Sequence, residues 1–571
     1  MTILPNVMRR ARYHVTDSMK NRRQNEFWKK VCPENHFVVA KDVLHSSAET
    51  YAAGFERLLQ VSCQLLWPDE AVIVVLRKHS NMASSSNNLY SHLHFANADL
   101  IAFTDHRGEQ TTYGQFHELI CRMSTQLLHN RVTVCDRVAS QLAKSKLALA
   151  LCLACMKIGA VYIPLSPAFR LSEMRYFILD SKPKLLLVPA SKVDEYDDNF
   201  LRETKVNIIC EEALAVQVEQ QRPNYSVMPV RQGDVAAICY TSGTTGASKG
   251  AMITHGNLTS NGFALQYLWE FSNADILLHA LPIDHVHGLF VALVSCLMSG
   301  GSTILLPTFD IEQVVRWLPK STVMMGVPTY YTRLIDFGHC QRKTLGHMRL
   351  LISGSAPLWP STWVQFAENA DQEIVERYGM TEGQIICSNP LRGQRKPGTV
   401  GTPLPGIEVS IRQGLLHYRG PNTFKGYWGQ AEKTRREFTK DGFFNSGDVA
   451  CQDSEGYVQI LGRSSDMIIT GGLNVYPKEV EAVINAIDSV QESAVIGLPD
   501  LDFGETVVAV VALKPSASRH ATNSTIIAEL KRRIADYKVP KRLFFVEALP
   551  KNLMGKVKKN LLRENLSRLF S

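Results

Sequence analysis

From Asn88 onward, helical spacing of apolar residues alternates with short β-branched runs, among them residues 185–188 (Leu-Leu-Leu-Val), 206–209 (Val-Asn-Ile-Ile), 235–240 (Val-Ala-Ala-Ile-Cys-Tyr) and 303–306 (Thr-Ile-Leu-Leu). Strands separated by helices predict an α/β body with largely parallel sheets, whose ligands sit at loops beyond the strand ends. The longest apolar stretch, Leu147 to Leu165, is broken by Lys157, Gly159 and Pro164. It therefore predicts a buried helix running into a strand and no membrane span. Past residue 462 the rhythm changes to a helix from about 477 to 487, strands around 494–496 and 507–513, and a helix near 525–536. This predicts a separate α+β unit. Ahead of the body, Tyr51, Phe55, Leu58 and Leu59 form one apolar stripe, expected to pack as an amphipathic helix. The expected organisation is an N-terminal extension (1–85), a large domain (86–462) and a small mobile C-terminal domain (463–571).

Composition narrows the class. A 571-residue chain that is 45% hydrophobic and 20% charged can bury several cores. Its twelve cysteines hold no two Cys-x-x-Cys pairs of the kind a zinc site needs, so reduced thiols are expected, with neither disulfides nor a structural metal. The net charge of +8 is concentrated at the ends. Residues 1–30 carry eight basic side chains against two acidic ones, and residues 531–571 carry twelve against three, leaving a mildly acidic body between them. The first 23 residues are basic but have no sustained apolar core for secretion. A solvated tail on a cytoplasmic protein and a mitochondrial presequence both fit.

Candidate chemistry begins at Tyr240-Thr-Ser-Gly-Thr-Thr-Gly-Ala-Ser-Lys249, followed by Gly250. Glycines let backbone N–H groups approach phosphate oxygens, hydroxyls add donors without bulk, and Lys249 adds a point charge. A polyphosphate is the expected ligand. The lysine is followed by Gly250 where a Walker loop has Ser or Thr, which disfavours an ordinary kinase or GTPase.

Further along stand Glu376-Arg-Tyr-Gly-Met-Thr-Glu382, Asn445-Ser-Gly-Asp448, Gly462-Arg463, Gly471-Gly472 and Asn552-Leu-Met-Gly-Lys556. With the phosphate loop, in this order and at these separations, they resemble the adenylate-forming acyl-CoA synthetases over residues 88–571. The resemblance implies that a carboxylate attacks the α-phosphate of ATP to give an acyl-adenylate and pyrophosphate, after which coenzyme A takes the acyl group. It also implies roles. Thr241, Ser242, Gly243, Thr244, Thr245, Gly246 and Lys249 would hold the β- and γ-phosphates, and Glu382 would ligate Mg2+. Gly354, Ser355, Ala356, Pro357, Tyr378 and Gly379 would line the nucleotide site, Thr381 would contact the α-phosphate, and Asp448 and Arg463 would take the ribose. Lys556 would bridge substrate carboxylate and α-phosphate, with domain closure required to insert it. Gly471 and Gly472 would wall the pantetheine tunnel. Ser465 occupies the hinge position, where the family commonly has Asp or Lys, and its small side chain still tolerates rotation. The segment 406–420 is shorter than the hairpin of many relatives.

Within the family, Leu281-Pro-Ile-Asp-His-Val-His-Gly288, Met325-Gly-Val-Pro-Thr-Tyr-Tyr-Thr-Arg333, residues 346–357 and residues 471–479 are most similar to malonyl-CoA synthetases. A dicarboxylate needs a second anchor that an apolar tunnel lacks. Arg333 is the expected anchor, aided by Ser353, Ser355 and His287, with His285 at the acyl entrance. Other acids, a carrier protein as acceptor, or an inactive scaffold stay open. The basic C-terminus surrounds a catalytic motif rather than aromatic stacking positions, so no nucleic-acid partner is expected.

Overall fold

The helix-to-strand pattern at residue 147 folds as anticipated. Ser145 caps the helix Lys146–Lys157 by accepting from the Ala148 N–H, and Gly159, at φ +75°, turns the chain into the strand Val161–Pro164. The computed structural model describes residues 87–241, 248–500, 502–514, 523–552 and 555–570. The stripe at 51–59, the basic N-terminal stretch and the loop residues Ser242, Gly243, Thr244, Thr245 and Gly246 lie outside the described residues.

Among the described residues, a nine-stranded sheet runs in the order 402–403, 384–388, 375–380, 350–353, 323–326, 276–279, 302–305, 101–105, 110–112. Its six central strands are parallel and its edges antiparallel. A seven-stranded sheet is ordered 426–427, 249–254, 235–241, 161–164, 137–140, 185–188, 207–210, parallel from 235–241 onward. Central strands such as Leu185–Val188, Val323–Gly326 and Leu350–Ser353 are buried at every residue. Both faces of these strands are covered, which explains continuous apolar runs where a one-sided sheet would alternate.

A four-stranded antiparallel sheet follows, in the order 408–412, 415–419, 444–452, 458–463. Its first hairpin turns on Gln413 and Gly414, both at positive φ, a two-residue connection that accounts for the short segment noted in the sequence. The C-terminal unit carries the long antiparallel pair Val490–Asp500 and Gly504–Leu513. Val480, Ile484, Ile526 and Leu530 pack one face, and Leu562 and Leu566 the other. The strands are longer than the sequence suggested because pairing across the sheet extends them past their most apolar residues. The ten cysteines among the described residues are free thiols, and no described helix is long and apolar enough to cross a membrane.

Candidate active site

The strands Val235–Thr241 and Lys249–Thr254 pair antiparallel with Thr241 opposite Lys249, so those residues bracket the ends of the Ser/Thr/Gly loop. The Lys249 ammonium lies 5.0 Å over the Tyr427 ring, whose hydroxyl donates to Glu382 Oε1 at 2.9 Å. Burial raises the Glu382 pKa, opposed by the Tyr427 hydroxyl and by the charges of Arg463 and Lys249. Burial likewise lowers that of Lys249, and the adjacent ammonium of Lys433 pushes in the same direction. Two lysines crowded beside a buried carboxylate suit a polyanion that brings its own cation. Tyr427 and Lys433 were not legible in the sequence, since nothing local shows that residues 427–433 return to this loop. Thr381 follows directly on the strand Val375–Met380. Within that strand a Cβ on Gly379 would fall 1.8 Å from the Gln384 carbonyl oxygen, so only glycine fits the turn.

Asp448 and Arg463 face each other because the strands Phe444–Gln452 and Val458–Arg463 pair in that register. The ion pair measures 2.9 Å from Arg463 Nε to Asp448 Oδ1, and Arg463 Nη1 also donates to the Ser446 carbonyl at 2.8 Å. The Tyr378 hydroxyl donates to Asp448 Oδ2. Burial and then the Asp448 carboxylate hold that phenol well above its ordinary pKa, so it remains a donor.

Lys556 leaves a tight turn in which Asn552 accepts from the Gly555 N–H and, through Oδ1, from the Lys556 N–H at 2.9 Å, while Lys551 bridges Val557. A Cβ on Gly555 would lie 3.3 Å from Thr329 Oγ1, so this turn sits against Val327 and the first turn of the helix Pro328–Asp336. Lys556 keeps a path to solvent, yet it lies within electrostatic reach of Arg463, Asp448, Asp466 and Glu382. Loss of hydration first, and the Arg463 charge second, lower its pKa. The structure thus brings Lys556, Glu382, Asp448 and Arg463 together.

At the far end, Ser353 closes the strand Leu350–Ser353, and Gly354, Ser355, Ala356 and Pro357 follow. Ser355 holds φ +68°, and its hydroxyl lies 3.1 Å from His287 Nδ1. His287 is fully enclosed; burial, and next the charge of Arg377, push its pKa well below the ordinary histidine value. His285 is partly exposed, 3.8 Å from Asp284. Arg333 has an exposed side chain 5.6 Å over the Phe309 ring. Arg377 packs against Gly354, directly after Ser353, and its charge bears on His287.

Gly471 and Gly472, at φ +56° and +78°, form the exposed tip of the hairpin 468–475. Ser465 lies exposed in a short helical turn pinned by Ser464 Oγ on the Gly447 carbonyl (2.9 Å) and by the Asp466–Arg563 ion pair (3.0 Å).

The chain matches the AMP-binding enzyme family over residues 94–428 and the AMP-binding enzyme C-terminal domain over residues 479–556. It is similar to a malonate–CoA ligase of Arabidopsis thaliana, 38% identical over 370 residues, which covers 58% of this chain and 61% of that protein. The chain thus spans about three fifths of that relative's length. A mitochondrial malonate–CoA ligase of Mus musculus is 35% identical over 71% of this chain and 78% of its own. The crystal structure of ATP-bound MatB from Rhodopseudomonas palustris, 41% identical, superposes with a TM-score of 0.82 over 85% of this chain and all of that one.

Proposed function

Because the chain belongs to the AMP-binding enzyme family, we propose that it is an ATP-dependent acid–CoA ligase that converts malonate to malonyl-CoA, releasing AMP and pyrophosphate. The observation that carries the reaction is the convergence of Lys556, Glu382, Asp448 and Arg463 from separate elements on one cleft. The malonate reading rests on the relatives of that activity.

In the first half-reaction a carboxylate oxygen of the acid attacks the α-phosphorus, the bond to the bridging oxygen breaks, and pyrophosphate leaves with that electron pair. Attack brings two anions together, and Lys556 offsets the repulsion by donating to both. Asp448, which accepts from Tyr378 and Arg463 in this structure, exchanges the Tyr378 hydroxyl for the ribose hydroxyls. Lys249 and Lys433, with the loop hydroxyls, take the leaving pyrophosphate, and Thr381 donates to the α-phosphate. Glu382 is suited to one magnesium ion shared with the phosphates, since no described cluster of three or more acidic, His or Cys side chains is present to cage a metal by protein alone. Such an ion would neutralise phosphate charge. In the second half-reaction the CoA sulfur attacks the acyl carbon and AMP leaves. Ser465 is the pivot that withdraws Lys556 and swings Gly471 and Gly472 to the thiol's path, the boundary between domains lying at 462–463.

AMP release dependent on CoA, compared for malonate, methylmalonate, acetate, octanoate and benzoate, tests the reading. Malonate is expected to give the highest kcat/KM; preference for a monocarboxylate overturns the substrate, and no turnover with any acid overturns the enzyme. For the compartment, cytoplasm is retained, with the matrix as a second reading favoured by the mitochondrial mouse relative. Imaging of residues 1–86 fused to a fluorescent protein separates the two.

A further inference from the structure

The strand Gly426–Tyr427 returns to the edge of the seven-stranded sheet, with Gly426 opposite Met252 and Tyr427 opposite Ala251. The Trp428 N–H donates to the Gly250 carbonyl (2.8 Å), next to Lys249, and the Phe424 N–H donates to the Glu382 carbonyl (2.8 Å). Thr434 Oγ1 accepts from the Tyr427 N–H at 2.9 Å. It sits so close that a Cβ on Gly426, at φ +132°, would fall 2.6 Å from Thr434 Cγ2. One short segment is thereby fastened both to the residue after Lys249 and to Glu382 itself. Within it the Tyr427 ring, 4% exposed, packs edge-to-face on Phe424 with centroids 4.9 Å apart.

A core tyrosine needs only some acceptor for its hydroxyl, and a backbone carbonyl would serve. Tyr427 instead donates to a carboxylate oxygen, Glu382 Oε1, while the face of its ring carries the Lys249 ammonium. Lys249 and Glu382 feel each other's charge, yet the carboxylate is hydrogen-bonded by Tyr427 and not by Lys249. A direct ion pair between the two would neutralise the charges that a phosphate and its cation need, and ATP would have to break it. A phenol holds a carboxylate through one oxygen and leaves the other for a cation, and an aromatic face attracts an ammonium without neutralising it. Carboxylates that ligate metals are themselves hydrogen-bonded, and that outer partner sets their orientation.

We propose that Tyr427 is a positioning residue: its hydroxyl aims Glu382 at the magnesium ion and its ring aims Lys249 at the phosphates, keeping the two from pairing with each other. The inference rests on the nucleotide reading of this site, in which Glu382 meets the ion and Lys249 the polyphosphate. The two halves of the side chain act on different ligands. The hydroxyl bears on the cation, and the ring bears on ATP with or without it.

The test is ATP binding to the full-length protein by calorimetry, in EDTA and across a magnesium series, with melting temperature alongside. Tyr427→Phe keeps the ring and loses the hydroxyl. It is expected to need about tenfold to a hundredfold more magnesium for the same gain in ATP affinity, with affinity in EDTA unchanged. Tyr427→Leu loses both and should also bind ATP about threefold to tenfold more weakly in EDTA. Glu382→Gln should lose most of the magnesium gain, and adding Tyr427→Phe to it should cost nothing further. The assignment is wrong if Tyr427→Phe keeps the wild-type magnesium dependence, or if it lowers ATP affinity equally with and without the ion. A further loss when Tyr427→Phe is added to Glu382→Gln also overturns it, since the hydroxyl then does not act through Glu382. Equal affinity of Tyr427→Leu and Tyr427→Phe in EDTA removes the part given to the ring. If wild type gains no ATP affinity from magnesium, the metal role of Glu382 falls with the proposal. If ATP binding behaves as expected and no acid turns over, the positioning role stands and the ligase reading fails.

Discussion

The two ends of the cleft differ in how their polar groups are satisfied. At the nucleotide end Asp448 is held by both Arg463 and Tyr378, Glu382 by Tyr427, and Lys249 lies over an aromatic face. At the acyl end Arg377, Ser353 and His287 are buried with open donors. A group that already has a partner can only exchange it, so ligand binding there gains modestly per contact and favours positioning. A buried group without one gains most from the ligand that completes it, and therefore selects. On the proposed reading, the first end serves the chemistry shared by all substrates and the second meets the acid.

The most damaging break of the comparison is Lys556→Ala. It is expected to slow adenylation by about a thousandfold, as read by acid-dependent pyrophosphate release, while leaving thioester formation from supplied acyl-AMP largely intact; equal loss of both half-reactions would remove Lys556 from its assigned role. Asp448→Asn should come next. It removes a charge from a pair set by strand register and leaves Arg463 without its counter-charge, so ATP affinity is expected to fall by about tenfold to a hundredfold, together with a lower melting temperature. Unchanged ATP affinity in calorimetry would contradict a ribose role.

The smallest expected effect is a pH slope. Burial raises the Glu376 carboxyl to about 7, with Lys478 opposing. In the folded protein it therefore keeps a proton that the unfolded chain releases between about pH 4.5 and 7. Its contribution is favourable below the unfolded value and is lost as pH rises through the folded one. Glu376→Gln should remove that decline, so the melting temperature of the variant relative to wild type rises between pH 5 and 8. A pH-independent difference would show that Lys478 already holds Glu376 ionised.

Much of the nucleotide end was legible in the sequence because its residues fall in short motifs whose local geometry suffices. Thr241 and Lys249 oppose each other across one hairpin, and Asp448 and Arg463 across another. The acyl end was legible only in part. Ser355 and His287, named together for the acid, lie 3.1 Å apart, whereas the burial of Arg377 and the exposure of Arg333 are not written in a string of letters.

The sequence by itself determined the alternation of helices and parallel strands, the cap and turn at Ser145 and Gly159, and the order and spacing of the motifs between Thr241 and Lys556, because period, backbone freedom and motif chemistry are local properties. Which arginine is stripped of water, which lysine joins Lys249, and which strands carry Ser353 beside Arg377 were decided only by the tertiary structure. Burial and the loss of hydrogen-bond partners arise from segments far apart in the chain, and no local pattern records them.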